Sequence, residues 1–367
     1  MGIRRLFSYL KRHLKIVDLE QYKNLTCGID GHHFLHTLKP ILKKTILDEI
    51  PDYNQLYELI AEKLLLMKKL YNITPIVVID GNFPPIKFNE KEKRRLQREK
   101  NIIYVNELIK KKKYEKAAEE KLNSLSFKPP FCKDFHEVLN KYNIINIICP
   151  YEGDYELRYL EKKNIIDFII GNDSDFVAFG CKNVIYDFDF ETFKGLRYNQ
   201  DEYKHIFFNK NFTEEKLLYQ CIFRGCDFFS GIDKKIDIIT NVIQHNDNYV
   251  KIIEKLLGGK NSNKEYLEET IKEFEKTLII YKYGIIYCPI EKKGKYLNEL
   301  PQDKNDFVYK YNLDEIVGTI QSPEILYGIS CGNIDPITLE LLEGNPKPKK
   351  SENKKEDENL FKPFFKK

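Results

Sequence analysis

At 367 residues and 42 % hydrophobic content, the chain is large enough to bury a sizeable core and too apolar to be disordered. Its 60 Lys and Arg against 56 Asp and Glu leave a net charge of +4, too small a surplus to argue for a nucleic-acid partner by itself. No apolar run approaches the ~20 residues of a membrane-spanning helix, and the basic stretch "MGIRRLFSYL" lacks the long apolar core of a secretory signal.

In chain order, "LTCGID" (Leu25–Asp30) reads as a strand, followed by a helical stretch and a second helix over roughly Asn54–Leu70. "PIVVID" (Pro75–Asp80) is an apolar run ending in Asp, again a strand. Lys87 to Leu122 holds 13 Lys/Arg and 7 Glu, a local charge of +6 on a helix-forming stretch with few apolar anchors. That stretch ends at the Pro break "SFKPPF" (Ser126–Phe131). "IINIICP" (Ile144–Pro150), a helix from about Gly153 to Lys163, and "IIDFII" (Ile165–Ile170) continue the alternation. Apolar strands alternating with helices predict an α/β fold with a mostly parallel central sheet flanked by helices. Thr213 then caps a helix ending near Gly225, "IDKKIDIITNVIQ" reads as another helix, and the Pro/Lys/Glu-rich stretch from Glu343 onward is expected to be a disordered tail. The eight cysteines form no C-x-x-C pair and several sit in apolar runs, so reduced, buried thiols and an intracellular compartment are expected.

Sites in parallel sheets form at the carboxyl ends of strands, and here those ends are acidic. The first strand ends in Asp30 and the second in Asp80; the third runs into "PYEGD", with Glu152 and Asp154; the fourth runs into "GNDSDF", with Asp173 and Asp175. One such ending is as well explained by helix capping. Four in one sheet would converge and repel, so something positive must compensate them. With Asp227 of "GCDFF" the set numbers seven carboxylates. Oxygen donors without a matching His/Cys set favour Mg2+ or Mn2+ over Zn2+. Seven acids exceed the needs of one ion, and two ions ~4 Å apart suit in-line displacement at a phosphodiester.

On these residues the chain resembles the flap endonuclease (XPG-type) structure-specific 5′ nucleases. "MGIRRL" is similar to the amino-terminal MGI-x-x-L of that family, "VVIDGNFPPIK" to its Asp-Gly-x-x-Pro-x-x-Lys segment, and Pro150–Gly180 to its internal signature almost throughout. "RGCDFF" is similar to the Gly-Cys/Ser-Asp-Tyr before its helix–two-turn–helix. The resemblance covers roughly residues 1–245 and includes all seven acidic positions. It implies a PIN-like 5′ nuclease core with a helical arch, two Mg2+ ions (Mn2+ substituting) over Asp30, Asp80, Glu152, Asp154, Asp173, Asp175 and Asp227, and catalytic roles for Lys87 and Arg94 at the arch base. Their spacing of seven is two helical turns, so both project from one face. Gly2, His36, Gly225, Gly231, Lys234 and Lys235 are the implied DNA contacts.

Two positions depart from the pattern. His36 stands where the family stacks a Tyr on the substrate, and in "GCDFFSGIDKKIDII" the turn is shortened, with Asp233 in place of a second Gly. A family monovalent-ion site is thereby in question, while Gly231, Lys234 and Lys235 can still meet a phosphate. In this compressed turn the chain resembles the flap-endonuclease-like proteins of large DNA viruses. In the tail, "ENLFKPFF" resembles a sliding-clamp peptide, with Glu358 for Gln, Phe361 as the plug, and Phe364 and Phe365 in register; the alternative is that these aromatics fold back on the body.

The expected organisation is an N-terminal nuclease region (1–95), an arch (96–131), an internal nuclease region with the DNA-binding turn (132–245), a C-terminal part of the core (246–342) and the tail (343–367). The expected activity is 5′-flap cleavage in replication and repair by a monomer in the nucleus or at a site of viral DNA replication. The alternatives are 5′→3′ exonuclease or junction cleavage, and a non-catalytic clamp-recruited scaffold.

Overall fold

A seven-stranded sheet organises the computed structural model, which describes residues 2–48, 51–127, 129–208, 211–258 and 263–342. Its strands are β1 (Lys15–Asp18), β2 (Thr26–Asp30), β3 (Thr74–Ile79), β4 (Ile145–Ile148), β5 (Phe168–Ile170), β6 (Asn183–Asp189) and β7 (Lys194–Asn199), in the order β1-β7-β6-β5-β2-β3-β4. The five strands from β6 to β4 are parallel, and β7 and β1 extend that sheet antiparallel. Among the parallel strands, β3 and β5 read as nearly unbroken apolar runs because helices cover both faces. Ile29, Ile76, Val77, Ile79, Ile169 and Ile170 are inaccessible to solvent, each worth roughly 1.5–3 kcal/mol of burial.

The first half of the chain supplies α1 (Leu6–Leu10), α2 (Gly31–Leu38), α3 (Tyr53–Tyr71), α4 (Phe88–Lys110), α5 (Tyr114–Asn123), α6 (Pro129–Lys141) and α7 (Gly153–Lys162). Asp52 caps α3 by accepting from the Gln55 N–H, and Asn72 ends it in the left-handed region at φ 52°. α4 and α5 form a charged hairpin with a small core of its own, Val105, Leu108 and Ala117. Lys43 ties the hairpin to the body through Glu119, 2.8 Å away. The expected boundaries at residues 95 and 131 fall inside α4 and α6, which run through them unbroken.

The second half supplies α8 (Asp175–Ala178), α9 (Gln200–Phe207), α10 (Glu214–Arg224), α11 (Ile236–Gln244), α12 (Tyr249–Leu256), α13 (Lys264–Tyr283), the hairpin β8 (Ile285–Cys288) and β9 (Lys293–Tyr296), and α14 (Pro323–Ser330). Thr213 does cap α10, accepting from the Lys216 N–H. Residues of α13 and β8, among them Phe274, Leu278, Ile279 and Ile286, are fully buried in the same core as the sheet. Glu156 of α7 accepts the Tyr287 N–H at 2.8 Å and fastens β8 to the nuclease half. The strand expected over Ile165–Ile170 is confined to its last three residues, because Ile165 folds back on α7 through its N–H to the Leu160 carbonyl. All eight cysteines are free and at least partly buried. Among the described residues no helix is long and apolar enough to cross a membrane.

Candidate active site

The crossover from β4 to β5 reverses the direction of winding about β2, so the carboxyl ends of β2 and β5 open a crevice. Asp30 closes β2 and caps α2, accepting the His33 N–H at 2.9 Å. Asp80 follows β3 and accepts the Gly153 N–H, the first of α7, at 2.7 Å. A carboxylate there also meets the positive end of the helix. Asp154 lies in the first turn of the same helix. Asp173, in the loop after β5, accepts the Asp175 N–H at 2.9 Å, and Asp175 opens α8. Asp154, Asp173 and Asp175 each present an oxygen within 4.8 Å of the other two. Among the described residues no histidine joins such a group, so His32, His33 and His36 form no metal centre with it.

Opposite these acids stands the base of α4. Lys87 is buried, with Nζ 2.6 and 2.9 Å from the two Glu152 oxygens and 3.4 Å from Asp227. The Phe228 ring lies under the same ammonium at 5.5 Å. Arg94, two turns along, reaches Asp227 at 2.7 Å and Glu90 at 2.8 Å. The cluster therefore divides in two. Glu152 and Asp227 already have cations, and Asp80 has the His32 ring 3.5 Å away; Asp30, Asp154, Asp173 and Asp175 have no basic side chain within 4 Å among the described residues.

The electrostatics follow that division. Burial, reinforced by Asp173, Asp30 and Asp80, drives the Asp154 carboxyl well above its ordinary range. Burial and Asp173 do the same to Asp175, against partial relief from Lys87 and the Tyr281 hydroxyl. Burial and Asp80 push Asp30 up to about 7. For Asp227 burial acts in the same direction, but Lys87 and Arg94 outweigh it and hold it below the usual value. Asp80 is likewise held down against burial, by His32, the Gly153 N–H, Lys91 and Lys87. Carboxylates that repel one another, Asp175 buried and the others half-buried, and that offer only oxygen fit a hard divalent cation, so the donor set is consistent with a metal site.

The other expected residues lie at the amino terminus, in the turn after α10 and on α2. Gly2 has φ 85°, and a Cβ there would lie 2.1 Å from the Asp173 Oδ1. The next residue, Ile3, donates its N–H to Ser174 Oγ at 2.8 Å. Gly225 ends α10 at φ 99°, and its carbonyl accepts the Arg4 N–H at 2.9 Å. Gly231, at φ 79°, presses on the Arg224–Gly225 peptide, where a Cβ would come within 2.8 Å of the Gly225 nitrogen. Lys234 and Lys235 are exposed at the start of α11. His36 is exposed on α2, its ring edge-on to Phe127 at 5.2 Å. Glu358, Phe361, Phe364 and Phe365 lie outside the described residues.

Sequence reasoning missed two residues. Tyr281 of α13 donates its hydroxyl to Asp175 at 3.1 Å, across 106 residues of chain. Lys91 lies between Lys87 and Arg94 on the same helix face, its Nζ 5.2 Å from the Phe83 ring centre. The i, i+4 spacing from Lys87 was available as a signal for Lys91; nothing in the sequence marks Tyr281.

Sheet order, carboxylate basin and overlying basic helix define a 5′-nuclease-type α/β core. The fold is similar to the catalytic core of Rad2 in complex with DNA substrate, with a TM-score of 0.54 and 16 % identity, over 88 % of this chain and 92 % of that one. Residues 1–101 match the XPG N-terminal domain and residues 143–227 the XPG I-region, together just over half of the chain. The chain belongs to the XPG family of structure-specific 5′ nucleases. It is 27 % identical to exonuclease 1 of Danio rerio, over 94 % of this chain and 42 % of that protein. It is 28 % identical to exodeoxyribonuclease 1 of Schizosaccharomyces pombe, over 92 % of this chain and 58 % of that protein. The chain thus spans about half the length of the curated relatives it matches.

Proposed function

We propose that this chain is a metal-dependent 5′ nuclease that hydrolyses DNA phosphodiesters at 5′ flaps, 5′ ends and single-strand/double-strand junctions in replication and repair. The observation that carries the reading is the grouping of Asp154, Asp173 and Asp175 at the switch point of the sheet, with Lys87 and Arg94 paired to Glu152 and Asp227 opposite them. Two Mg2+ ions, or Mn2+ in their place, held by Asp30, Asp80, Glu152, Asp154, Asp173, Asp175 and Asp227, would supply charge neutralisation and Lewis acidity at the phosphodiester. The chain's own part is to hold and orient. Lys87 and Arg94 stand where negative charge develops on the scissile phosphate, preorganised by Glu152, Glu90 and Asp227. The Gly225–Gly231 turn with Lys234 and Lys235 holds the duplex backbone, and Gly2 and His36 line its approach. The α4–α5 hairpin, charged and partly apolar, guides the single strand.

Among 5′ nuclease activities, the exonuclease 1 relatives favour 5′→3′ exonuclease action beside flap incision. A sliding clamp is the proposed protein partner, through Glu358, Phe361, Phe364 and Phe365. The enzyme is proposed to act as a monomer, in the nucleus or at a site of viral DNA replication.

The test is cleavage of end-labelled 5′-flap, nicked, gapped and four-way junction DNA, with Mg2+ and with EDTA, beside Asp175→Ala. Metal-dependent incision that the variant lacks is the expected result, and the products rank the substrates. Binding without cutting on every substrate, in Mg2+ or Mn2+, would replace the nuclease with a DNA-binding scaffold.

A further inference from the structure

Arg224 is the last residue of α10, and its guanidinium carbon lies 5.2 Å from the centre of the Tyr9 ring on α1. Its Nε is shut off from solvent and has no hydrogen-bond partner. Among the described residues no carboxylate comes within 4 Å of it. Asp237, in the first turn of α11, is the acidic group that acts on it, from beyond that distance. A cation at a helix C-terminus is favoured by the helix dipole, which explains a charge at this end of α10. It does not explain a half-buried guanidinium that has no anion: Nε is closed off, and the two terminal nitrogens, also without a partner among the described residues, are the atoms left open to an incoming phosphate. Burial accordingly pulls the Arg224 pKa down.

A second guanidinium stands beside it. A Cβ on Gly225 would meet Arg4 at Cδ and Nε, 3.0 and 3.1 Å away, so Arg4 lies along the face of the residue that follows Arg224. Its main-chain N–H is fixed to the Gly225 carbonyl at 2.9 Å. Arg4, Lys234 and Lys235, like Arg224, form no ion pair among the described residues. Four cations surround one turn, and two of them are planar forks of the kind that grip a phosphate through paired N–H donors. Asp227 belongs to the same turn and also to the carboxylate basin, so one polymer can lie across both.

We infer that Arg4 and Arg224 form an arginine clamp for a backbone phosphate of the duplex arm of the substrate. The clamp anchors the nucleic acid at the Gly225 turn while the scissile bond lies in the basin. This inference rests on the proposed nuclease function.

The experiment is binding of a short, blunt DNA duplex in EDTA, followed by fluorescence anisotropy across a salt series. The intact chain is compared with Arg4→Gln, Arg224→Met and Arg224→Lys. Arg224→Met keeps an unbranched side chain against Tyr9, and Arg4 is exposed, so Arg4→Gln tests the clamp without disturbing the core. Each of Arg4→Gln and Arg224→Met is expected to weaken binding about tenfold and to lower the slope of log K against log salt by about one. Arg224→Lys is expected to restore the slope but not the affinity, since an ammonium lacks the fork. Unchanged affinity and slope in both Arg4→Gln and Arg224→Met, with the unmodified chain binding duplex, would remove the clamp and leave the nuclease reading standing. No duplex binding by the unmodified chain would likewise overturn the clamp, whereas the nuclease reading stands or falls on the cleavage of flap, nicked and gapped DNA in Mg2+.

Discussion

Lys87 and Glu152 lock the base of α4 onto the carboxylate basin: both Glu152 oxygens lie within 2.9 Å of Nζ, and the ammonium is also 3.4 Å from Asp227. On the proposed function, the pair joins two things that must move together, the cation assigned to the phosphate and the acids beneath it. Removing one member leaves the other buried and uncompensated. Lys87→Met is therefore expected to destabilise the metal-free protein by about 3 kcal/mol, and to lower cleavage by roughly 100- to 1000-fold with duplex binding retained. Urea denaturation in EDTA and single-turnover cleavage read the two effects. Wild-type cleavage by this variant would remove Lys87 from the catalytic set.

The raised carboxyls of the basin predict an inverted pH dependence. Asp30 goes from an ordinary 3.8 to about 7 in the fold, so between those values the folded chain holds a proton that the unfolded chain has released. Its contribution to stability is full below the lower value and is lost as pH rises through the upper one. Asp154 and Asp175 shift in the same direction. Asp80 and Asp227, shifted down, stabilise the fold above the ordinary carboxylate value and lose that effect only in stronger acid. In EDTA the protein should thus melt at a lower temperature at about pH 7.5 than at about pH 5. Mg2+ at ~100-fold excess over its Kd should add about 3 kcal/mol at the higher pH, and less at the lower, where protons compete for the same oxygens. Equal stabilisation by Mg2+ at both pH values would contradict the assignment of these carboxylates as the ion's ligands.

What the sequence disclosed and what it hid have physical reasons. Asp30, Asp80, Asp173 and Asp175 were legible because each follows a short apolar strand, where a charge is costly and so conspicuous. Lys87 and Arg94 were legible only through a motif, since nothing in the charge pattern of α4 separates them from Lys91, Lys93 or Arg95. The strands β1, β6 and β7 escaped notice because they are antiparallel or near the edge and mix polar with apolar residues, as in "NVIYDFD" with its bulge between Tyr186 and Asp189. Tyr281 was invisible for a different reason. Its contact with Asp175 is made by packing α13 against α8 and α10, a tertiary event that no local period encodes.

The tail proposal has an independent test. Phe364→Ala/Phe365→Ala is expected to abolish binding to a sliding clamp, measured by calorimetry or pull-down with purified clamp, and to leave cleavage of free DNA unchanged. Aromatic anchors dominate such contacts, so the loss should be at least about 2 kcal/mol. If the intact chain shows no clamp binding, the tail motif is without function in that respect.

Asp175 separates the stability of the fold from its chemistry most sharply. It is only 4 % exposed, opens α8, and accepts the Tyr281 hydroxyl while Asp173 and Asp227 repel it. Asp175→Asn keeps a carbonyl oxygen for Tyr281 and removes the repelled charge. The metal-free variant should therefore be more stable than the unmodified chain by about 1–2 kcal/mol, as expected where an active site holds strain for function. Asp175→Ala also removes the charge but leaves the buried Tyr281 hydroxyl only the weak Cys226 thiol as a partner, which costs about 1–3 kcal/mol. The expected order of stability in EDTA is thus Asn above the native Asp, with Ala at or below it. Cleavage should fall at least ~100-fold in both variants, because neither supplies the anionic oxygen that a divalent cation requires. Urea melts in EDTA beside cleavage of a labelled flap measure both quantities on one preparation. An Asn variant less stable than the native chain would mean that the repulsion at Asp175 is already relieved, and one that still cuts would place the essential carboxylates elsewhere in the basin.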